Sequence, residues 1–533
     1  MLASNLFTDL YQLTMFQAAW ASGADKLEAS FYLHFRDMPF NGGYAIACGA
    51  ASVARIIDDF NLSKTDIDYL ADLPSPDAAA QQSKVSGTIQ QPNISNAIQS
   101  RAGVAQASVA HAVVARAGIT RQDSNPSVAR SLLFDRAFLH HLAGLRLSLD
   151  IDCVAEGTAV FAYEPILRAT GPLCQCMLLE TALLNALNFE TLIATKAARI
   201  CAAAGGPVAE FGARRAQGPN GANLAARAAI VGGCSSTSNV LAGQLYDLPV
   251  SGTHSHAWVM TFDSELAAFR SFVAQFPHNS ILVVDTYDTL QGVKNAIIVG
   301  KEMEERGQRL HGIRIDSGDL AWLSVQARGM LDAASLGYVK IVASNDLDEY
   351  TIQSLRTEQG AQIDLWGVGT RLVCAFGQPA LGGVYKLSAI REPGQPTYRP
   401  VLKASEQTYK STLPGQPTLR RYFDADDLMA GDMIYDLSRP PARAYITDPF
   451  DSLRQKQLAG LRYSEPLQPL VRQGQVVRCP PSAGQAQKTT TQSLSQLSPS
   501  IKRLLNPHTY PVGLEDSLLA QRDTLLQKAR QHD

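Results

Sequence analysis

The sequence carries no excess of positive charge: 47 Lys and Arg stand against 49 Asp and Glu, a net charge of −2 over 533 residues. A nucleic-acid partner is therefore not expected, and an anionic substrate must be met by a local group of arginines. Long hydrophobic runs are also missing. No stretch approaches the roughly 20 apolar residues that span a bilayer, and no basic run precedes Asp9 in MLASNLFTDL. The expectation is a cytoplasmic protein without membrane segments. Cysteine is sparse, with eight scattered residues of which only Cys174 and Cys176 are close. Their C-x-C spacing lacks the two-residue gap of zinc knuckles, so no structural zinc is expected and the thiols suit a reducing compartment. The sharpest local absence lies between Ser75 and Ser131, 57 residues without Phe, Tyr, Trp or Leu. Such a stretch buries little, so a flexible surface insertion with a weak helix near Ala102–Ala117 is expected.

What is present suits a large soluble enzyme: 46% hydrophobic and 18% charged residues, in a chain too long for one core. Four times in the second half a short apolar run ends in a polar cluster: ILVVDTYD (Asp285, Asp288), GIRIDSGDL (Arg314, Asp316, Asp319), VKIVASND (Ser344, Asn345, Asp346) and IDLWGVGT (Gly367, Gly369, Thr370). Upstream, VAEFGARRAQG (Arg214, Arg215), AAIVGGCSSTSN (Ser238, Asn239) and LPVSGTHSHAW (Thr253, His254, His256) keep the same cadence. Buried parallel strands read as short continuous apolar runs. In a β/α barrel the residues just past each strand share one mouth, so seven such strand ends predict one site.

The expected organisation is an N-terminal α+β domain over 1–149 carrying the 75–131 insertion, a β/α barrel over 150–390, and a C-terminal module with a docking helix over 391–533. Within the first, a helix over 8–22 is predicted from Thr8 as N-cap and Gly23 as stop. The Ser/Gln/Thr-rich stretch from Pro480 to Pro499 reads as a linker. Leu518, Leu519, Leu525 and Leu526 give the tail a helical stripe that docks on the body.

The chemistry follows from residue types. Arg214 and Arg215 sit between glycines, and guanidinium forks meet carboxylate and phosphate bidentately. Arg314 and Asp316 are two apart on one strand, giving an anion fork and a carboxylate able to orient a ribose or hold Mg²⁺ through water. Gly367-x-Gly369-Thr370 and Leu381-Gly382-Gly383 offer backbone N–H groups to phosphate. In GTHSHAW a neutral imidazole can accept a phosphoryl group, whereas His-x-His without a third ligand is a weak metal motif. These groups together suit a phosphorylated sugar and a small anionic partner.

TDLYQLTM, RDMPFNGGYA, FGARRAQGPNGA, TSNVLAG, GTHSHAWV, DTYDTL, RIDSGDL and LGGVYKL resemble nicotinate phosphoribosyltransferase, in order and over nearly the whole chain. The resemblance implies an α/β fold: an irregular β/α barrel with a second α+β domain formed from the N- and C-terminal segments. It implies a homodimer with sites at the interface. The implied reaction makes nicotinate mononucleotide from nicotinate and phosphoribosyl pyrophosphate in NAD biosynthesis, with Mg²⁺ and with ATP hydrolysed through a phosphohistidine. The family pattern G-T-x-A-H assigns the phosphate to His256, with Ser255 where Ala is usual and His254 at the variable position. Tyr11 resembles the residue that stacks on the pyridine ring. Thr253 and Arg314 resemble nicotinate-site residues, and Thr370 a contact to phosphoribosyl pyrophosphate. Arg214, Asp285 and Asp316 fall at the family's active-site strand ends, with Asp285 and Asp316 expected to be catalytic; Gly382 and Gly383 are the expected phosphate-binding backbone. Three rivals stand against this, of which decarboxylating transfer from quinolinate would want more cationic groups to hold two carboxylates. An enzyme for nicotinamide would want an acidic acceptor for the amide, and residues 234–239 (CSSTSN) offer hydroxyls instead. A catalytically silent scaffold would have lost strand-end groups that are all present.

Overall fold

The computed structural model describes residues 5–75, 132–405 and 411–531. The insertion expected over 75–131, with its weak helix, lies outside these residues apart from Ser75 itself. The chain divides into two units, Met1–Asn61 with Arg146–Asp533, and Leu62–Leu145. The smaller one contains the helices Lys64–Ala71, opened by a Ser63–Asp66 capping box, and Arg136–Ala143.

In the larger unit six strands run parallel in the order Ser236–Thr237, Val208–Glu210, Leu365–Val368, Lys340–Ser344, Gly312–Ile315 and Ile281–Val283. Most of their residues are buried, as both-face coverage by helices requires. Helices Thr289–Glu305, Leu320–Ala333 and Glu349–Thr357 follow successive strands. Gly292 lets the first of these approach closely, since a Cβ there would lie 2.0 Å from the Val284 carbonyl oxygen. The sheet is an open half-barrel, the α/β architecture that the motif order implied.

Two of the seven expected strands differ. The apolar run Ala228–Val231 closes the helix Gly218–Gly232, and the strand is only Ser236–Thr237. Alanine-rich apolar runs serve a buried helix as well as a strand, and periodicity over four residues cannot separate them. The run before Thr253 is no full strand either. Val250 forms one parallel bridge to Thr237, with the Ser251 N–H donating to the Thr237 carbonyl at 3.0 Å.

A seven-stranded antiparallel sheet joins distant parts of the chain, in the order Arg399–Pro400, Gly383–Arg391, Glu28–Phe35, Leu167–Pro172, Asp150–Val154, Leu467–Arg472 and Gln475–Val476. N-terminal and C-terminal segments are thus woven into one layer, as expected for the second domain. Because Asp150–Val154 and Leu167–Pro172 pair here, the parallel strands draw only on Val208–Val368. A third, six-stranded sheet uses Pro417–Phe423, Met429–Asp436, Tyr445–Thr447, Gln455–Gln457, Arg462–Ser464 and Val512–Leu514. Its buried Arg421 pairs with Asp432 at 2.6 Å, and the Tyr510 hydroxyl donates to the same carboxylate at 2.6 Å, so the buried charges are compensated.

The Pro480–Pro499 stretch is not a linker. Ser482 and Gln485 form a capping box that starts the helix Ala483–Ser495. Its polar side chains serve carbonyls at the end of the Gly218–Gly232 helix: Thr490 Oγ1 donates to Val231 O (2.7 Å), and Gln487 Nε2 to Ile230 O (2.9 Å) and Cys234 O (2.8 Å). Orphan carbonyls at a helix C-terminus need such donors, which is why a polar helix packs there. At the N-terminus the helix Leu10–Ser22 is preceded by Asp9 at the cap position rather than Thr8, whose hydroxyl donates to Leu178 O at 2.9 Å. Gly23 ends that helix at φ 78°, as expected. The tail forms the helix Asp516–Gln531, docked through buried Leu518.

Candidate active site

Polar residues past the parallel strands divide into two groups. Asn239, Asp288, Asp319 and Asp348 are helix N-caps, accepting from Ala242, Gln291, Trp322 and Thr351 amides at 3.1, 2.7, 3.0 and 2.8 Å. Asp288 and Asp319 are therefore committed to local structure. Thr253, His256, Asp285, Arg314 and Asp316 have no such duty, and these five converge.

His256 is the first residue of the short helix His256–Met260 and is about one-third exposed. Its Nδ1 lies 3.1 Å from the Thr286 hydroxyl, while Nε2 faces Asp285 Oδ1 at 3.9 Å and Asp316 Oδ2 at 3.7 Å. Asp285 is buried. Its Oδ2 accepts from the Asp316 N–H (2.9 Å) and the Ser317 hydroxyl (2.6 Å), and its Oδ1 has no hydrogen-bond partner. The Ser344 hydroxyl donates to Asp316 Oδ1. Arg314 donates to Thr253 Oγ1 at 2.7 Å, lies 3.5 Å from Asp316 Oδ2, and leaves its buried Nε unpaired. One half-open site thus offers an anion fork, an imidazole and two carboxylates with free oxygen. The next strand end is strained: Asn345 and Asp346 both take positive φ, 120° and 38°.

His254 has a different environment from His256. Only 7% exposed, it packs edge-on to Phe272 with ring centroids 4.8 Å apart. Its Nε2 accepts the Val283 N–H at 3.2 Å. Burial pushes its pKa down to about 4, so the ring stays neutral. It is occupied by packing and a backbone bond and does not face the carboxylates.

Arg214 lies in the exposed turn Ala213–Arg215 after the Val208 strand, and Thr370 is exposed at the start of the short helix Thr370–Val373. Both lie past parallel strands, on the same side as the His256 group. Glu210, at the end of the Val208 strand, was not singled out from the sequence. Buried, with burial raising its pKa, it accepts from the Gly212 N–H and from the Thr237 hydroxyl at 2.5 Å. That ties the arginine turn to the Ser236 strand. Its signal was a carboxylate closing an apolar run immediately before FGARR. Thr286 was also passed over, being unremarkable between two aspartates.

Tyr11 and the glycine pair stand apart from this group. Tyr11 is 50% exposed on the helix Leu10–Ser22, where burial and the charge of Glu180 raise its pKa. Among the described residues no hydrogen bond or ring contact joins it to the strand ends. Gly382 precedes and Gly383 opens a strand of the antiparallel sheet, and a Cβ on Gly383 would meet Asn188 Oδ1 at 1.9 Å. Arg36 follows the paired strand, with its buried Nε unpartnered. Burial lowers the pKa of Lys386, Glu180 opposes that, and the charges of Lys403 and Arg36 add to the lowering. Arg36, Lys386 and Lys403 therefore form a cationic patch around the two glycines that single-motif reading did not assemble. Arg36 stands hundreds of residues before the two lysines, which hid it.

Family models described as the N-terminal domain, the family proper and the C-terminal domain of nicotinate phosphoribosyltransferase match residues 6–82 with 126–188, 207–426 and 417–522. The chain is 37% identical over 519 residues to the nicotinate phosphoribosyltransferase of Bacillus subtilis, covering 96% of this chain and 93% of that protein. It is 30% identical to the one of Caenorhabditis elegans, covering 98% and 93%. The crystal structure of human nicotinic acid phosphoribosyltransferase superposes with a TM-score of 0.76 at 28% identity, over 97% of this chain and 99% of that one. A nicotinate-nucleotide pyrophosphorylase from Pyrococcus furiosus shares the fold at TM-score 0.62 and 18% identity.

Proposed function

The chain belongs to the nicotinate phosphoribosyltransferase family, and from that premise we propose that it joins nicotinate to phosphoribosyl pyrophosphate, releasing pyrophosphate, and couples the transfer to ATP through a phosphate on His256. The observation that carries this reading is the convergence of Arg314, Thr253, His256, Asp285 and Asp316.

In the transfer the pyridine nitrogen forms a bond to the anomeric carbon as the carbon–oxygen bond to pyrophosphate breaks. Positive charge develops on ribose and negative charge on the leaving group, so fixed cations and carboxylates stabilise the transition state. Arg314, oriented by Thr253, takes the nicotinate carboxylate and holds the ring for attack. Arg214 and the N–H groups at Thr370 face the phosphates. Asp316 and the free Asp285 Oδ1 supply hard oxygen donors of the kind Mg²⁺ prefers, and these two would hold it. When bound, the ion neutralises charge on the phosphate oxygens. His256 attacks the terminal phosphorus of ATP, releasing ADP, and later passes the phosphoryl group to water. The added charge beside Asp285 and Asp316 changes the site between the two states, which is how hydrolysis biases transfer.

A homodimer is part of the proposal. Tyr11 shares its helix region with exposed Phe7, Leu10 and Met15, and Val240, Leu241, Leu245 and Val250 are exposed near the Ser236 strand. Apolar surfaces of this kind mark association sites. Tyr11 then stacks on the pyridine ring in the partner's site rather than its own, and the cationic patch reaches the partner's phosphates in the same way.

Pyrophosphate release tests the reading. Phosphoribosyl pyrophosphate should be consumed with nicotinate far faster than with nicotinamide, and ATP should increase turnover. Equal kcat/KM for the two pyridines would refute the assignment of Arg314 to a carboxylate.

A further inference from the structure

The six parallel strands have two edges, Ser236–Thr237 and Ile281–Val283. The chain between them runs 249–256 and carries Thr253 and His256. On one side it is tied by backbone pairing: the Thr237 N–H donates to Pro249 O at 2.9 Å and the Ser251 N–H to Thr237 O at 3.0 Å. Toward the other edge the pairing changes kind. The Val283 N–H donates not to a carbonyl but to His254 Nε2, at 3.2 Å. Asn279 Nδ2 reaches Gly252 O at 3.5 Å, and no strand pairing joins the two segments among the described residues.

His254 is built for that place. Its Nδ1 lies 3.3 Å from the Ser255 carbonyl, which fixes the proton on Nδ1 and leaves Nε2 as acceptor. Phe272 and Phe269 flank the ring, with centroids 4.8 and 5.9 Å away. Val283 is two residues before Asp285 and three before Thr286, the groups that face the two nitrogens of His256. The contact therefore sets the register between the segment that presents His256 and the strand that presents its partners.

We propose that His254 is a positioning residue: its imidazole takes the place of a missing strand carbonyl at the open seam of the half-barrel and holds His256 and Thr253 in register with Asp285 and Thr286. This rests on the phosphohistidine reading for its kinetic consequence, but the structural claim stands apart from it.

The test uses two variants of the full-length enzyme. His254→Leu fills the space and removes the acceptor, whereas His254→Gln keeps an acceptor near the reach of Nε2. His254→Leu is expected to slow His256 labelling from γ-labelled ATP by about 10- to 100-fold at saturating ATP, as small displacements of reacting groups do. His254→Gln is expected to recover most of that rate. A purely packing role would instead be rescued by Leu and not by Gln, which would overturn the proposal. Amide hydrogen exchange separates the structural role of His254 from its kinetic consequence. Protection of the Val283 amide should fall in His254→Leu and persist in wild type and His254→Gln, whether or not His256 takes label. Unchanged Val283 protection in a folded His254→Leu protein would overturn the strut. Absence of label in wild type, with the exchange pattern as expected, would remove the phosphohistidine and leave the strut in place.

Discussion

Arg314 is the residue on which substrate choice turns. Thr253 orients one arm of its guanidinium, Asp316 lies beside another, and Nε is left without a partner. A fork so held suits a planar carboxylate, and a lysine ammonium cannot reproduce it. Arg314→Lys is expected to lower kcat/KM for nicotinate by about 10- to 100-fold, the worth of a charged hydrogen-bond pair, while changing the poor nicotinamide rate much less. Steady-state kinetics with both pyridines check this, and a uniform loss would indicate a general disturbance instead. At this scale the sequence was most informative. Arg314 and Asp316 were two apart at the end of one apolar run and meet as that spacing implied. Glu210 and Thr286 were invisible because their importance lies in whom they touch, Thr237 and His256, which are distant in sequence.

Among elements, the helix Ala483–Ser495 shows why composition misleads. Its Ser, Gln and Thr content reads as solvated linker, but the polar groups face the carbonyl end of the Gly218–Gly232 helix, where donors are needed. The capping box was in plain view as Ser482-x-x-Gln485. Ser482→Ala should destabilise the protein by about 1 kcal/mol, the usual value of an N-cap. A lowered denaturation midpoint with unchanged kcat would bear that out, and an unchanged midpoint would show that the helix does not need its cap. The Ala228–Val231 misreading has the opposite cause: four apolar residues fit either a buried helix or a strand. Longer alternation of strands and helices from Val208 to Val368 was legible because it repeats.

For the whole molecule, the question is how Tyr11 and the Arg36–Lys386–Lys403 patch relate to the strand ends. Neither touches the His256 group within the described chain, yet both carry chemistry the proposed reaction uses. The antiparallel sheet explains why the patch could not be read locally, since Arg36 follows the strand that pairs with the one carrying Lys386, 350 residues away in sequence. If dimer formation completes each site, Tyr11→Ala and Arg314→Ala should each be nearly inactive alone. Mixing them under conditions of subunit exchange should restore activity, because one site of a mixed dimer is intact. Failure to restore activity in verified mixed dimers would place Tyr11 in its own chain's site.

In the proposed reaction the strand ends around His256 form one transfer site charged by ATP. Incubation with γ-labelled ATP followed by peptide mapping tests it most directly. Acid-labile, base-stable label is expected on His256, abolished in His256→Ala together with ATP stimulation, while some ATP-independent transfer survives. Label on another residue, or no label and turnover indifferent to ATP, would contradict it.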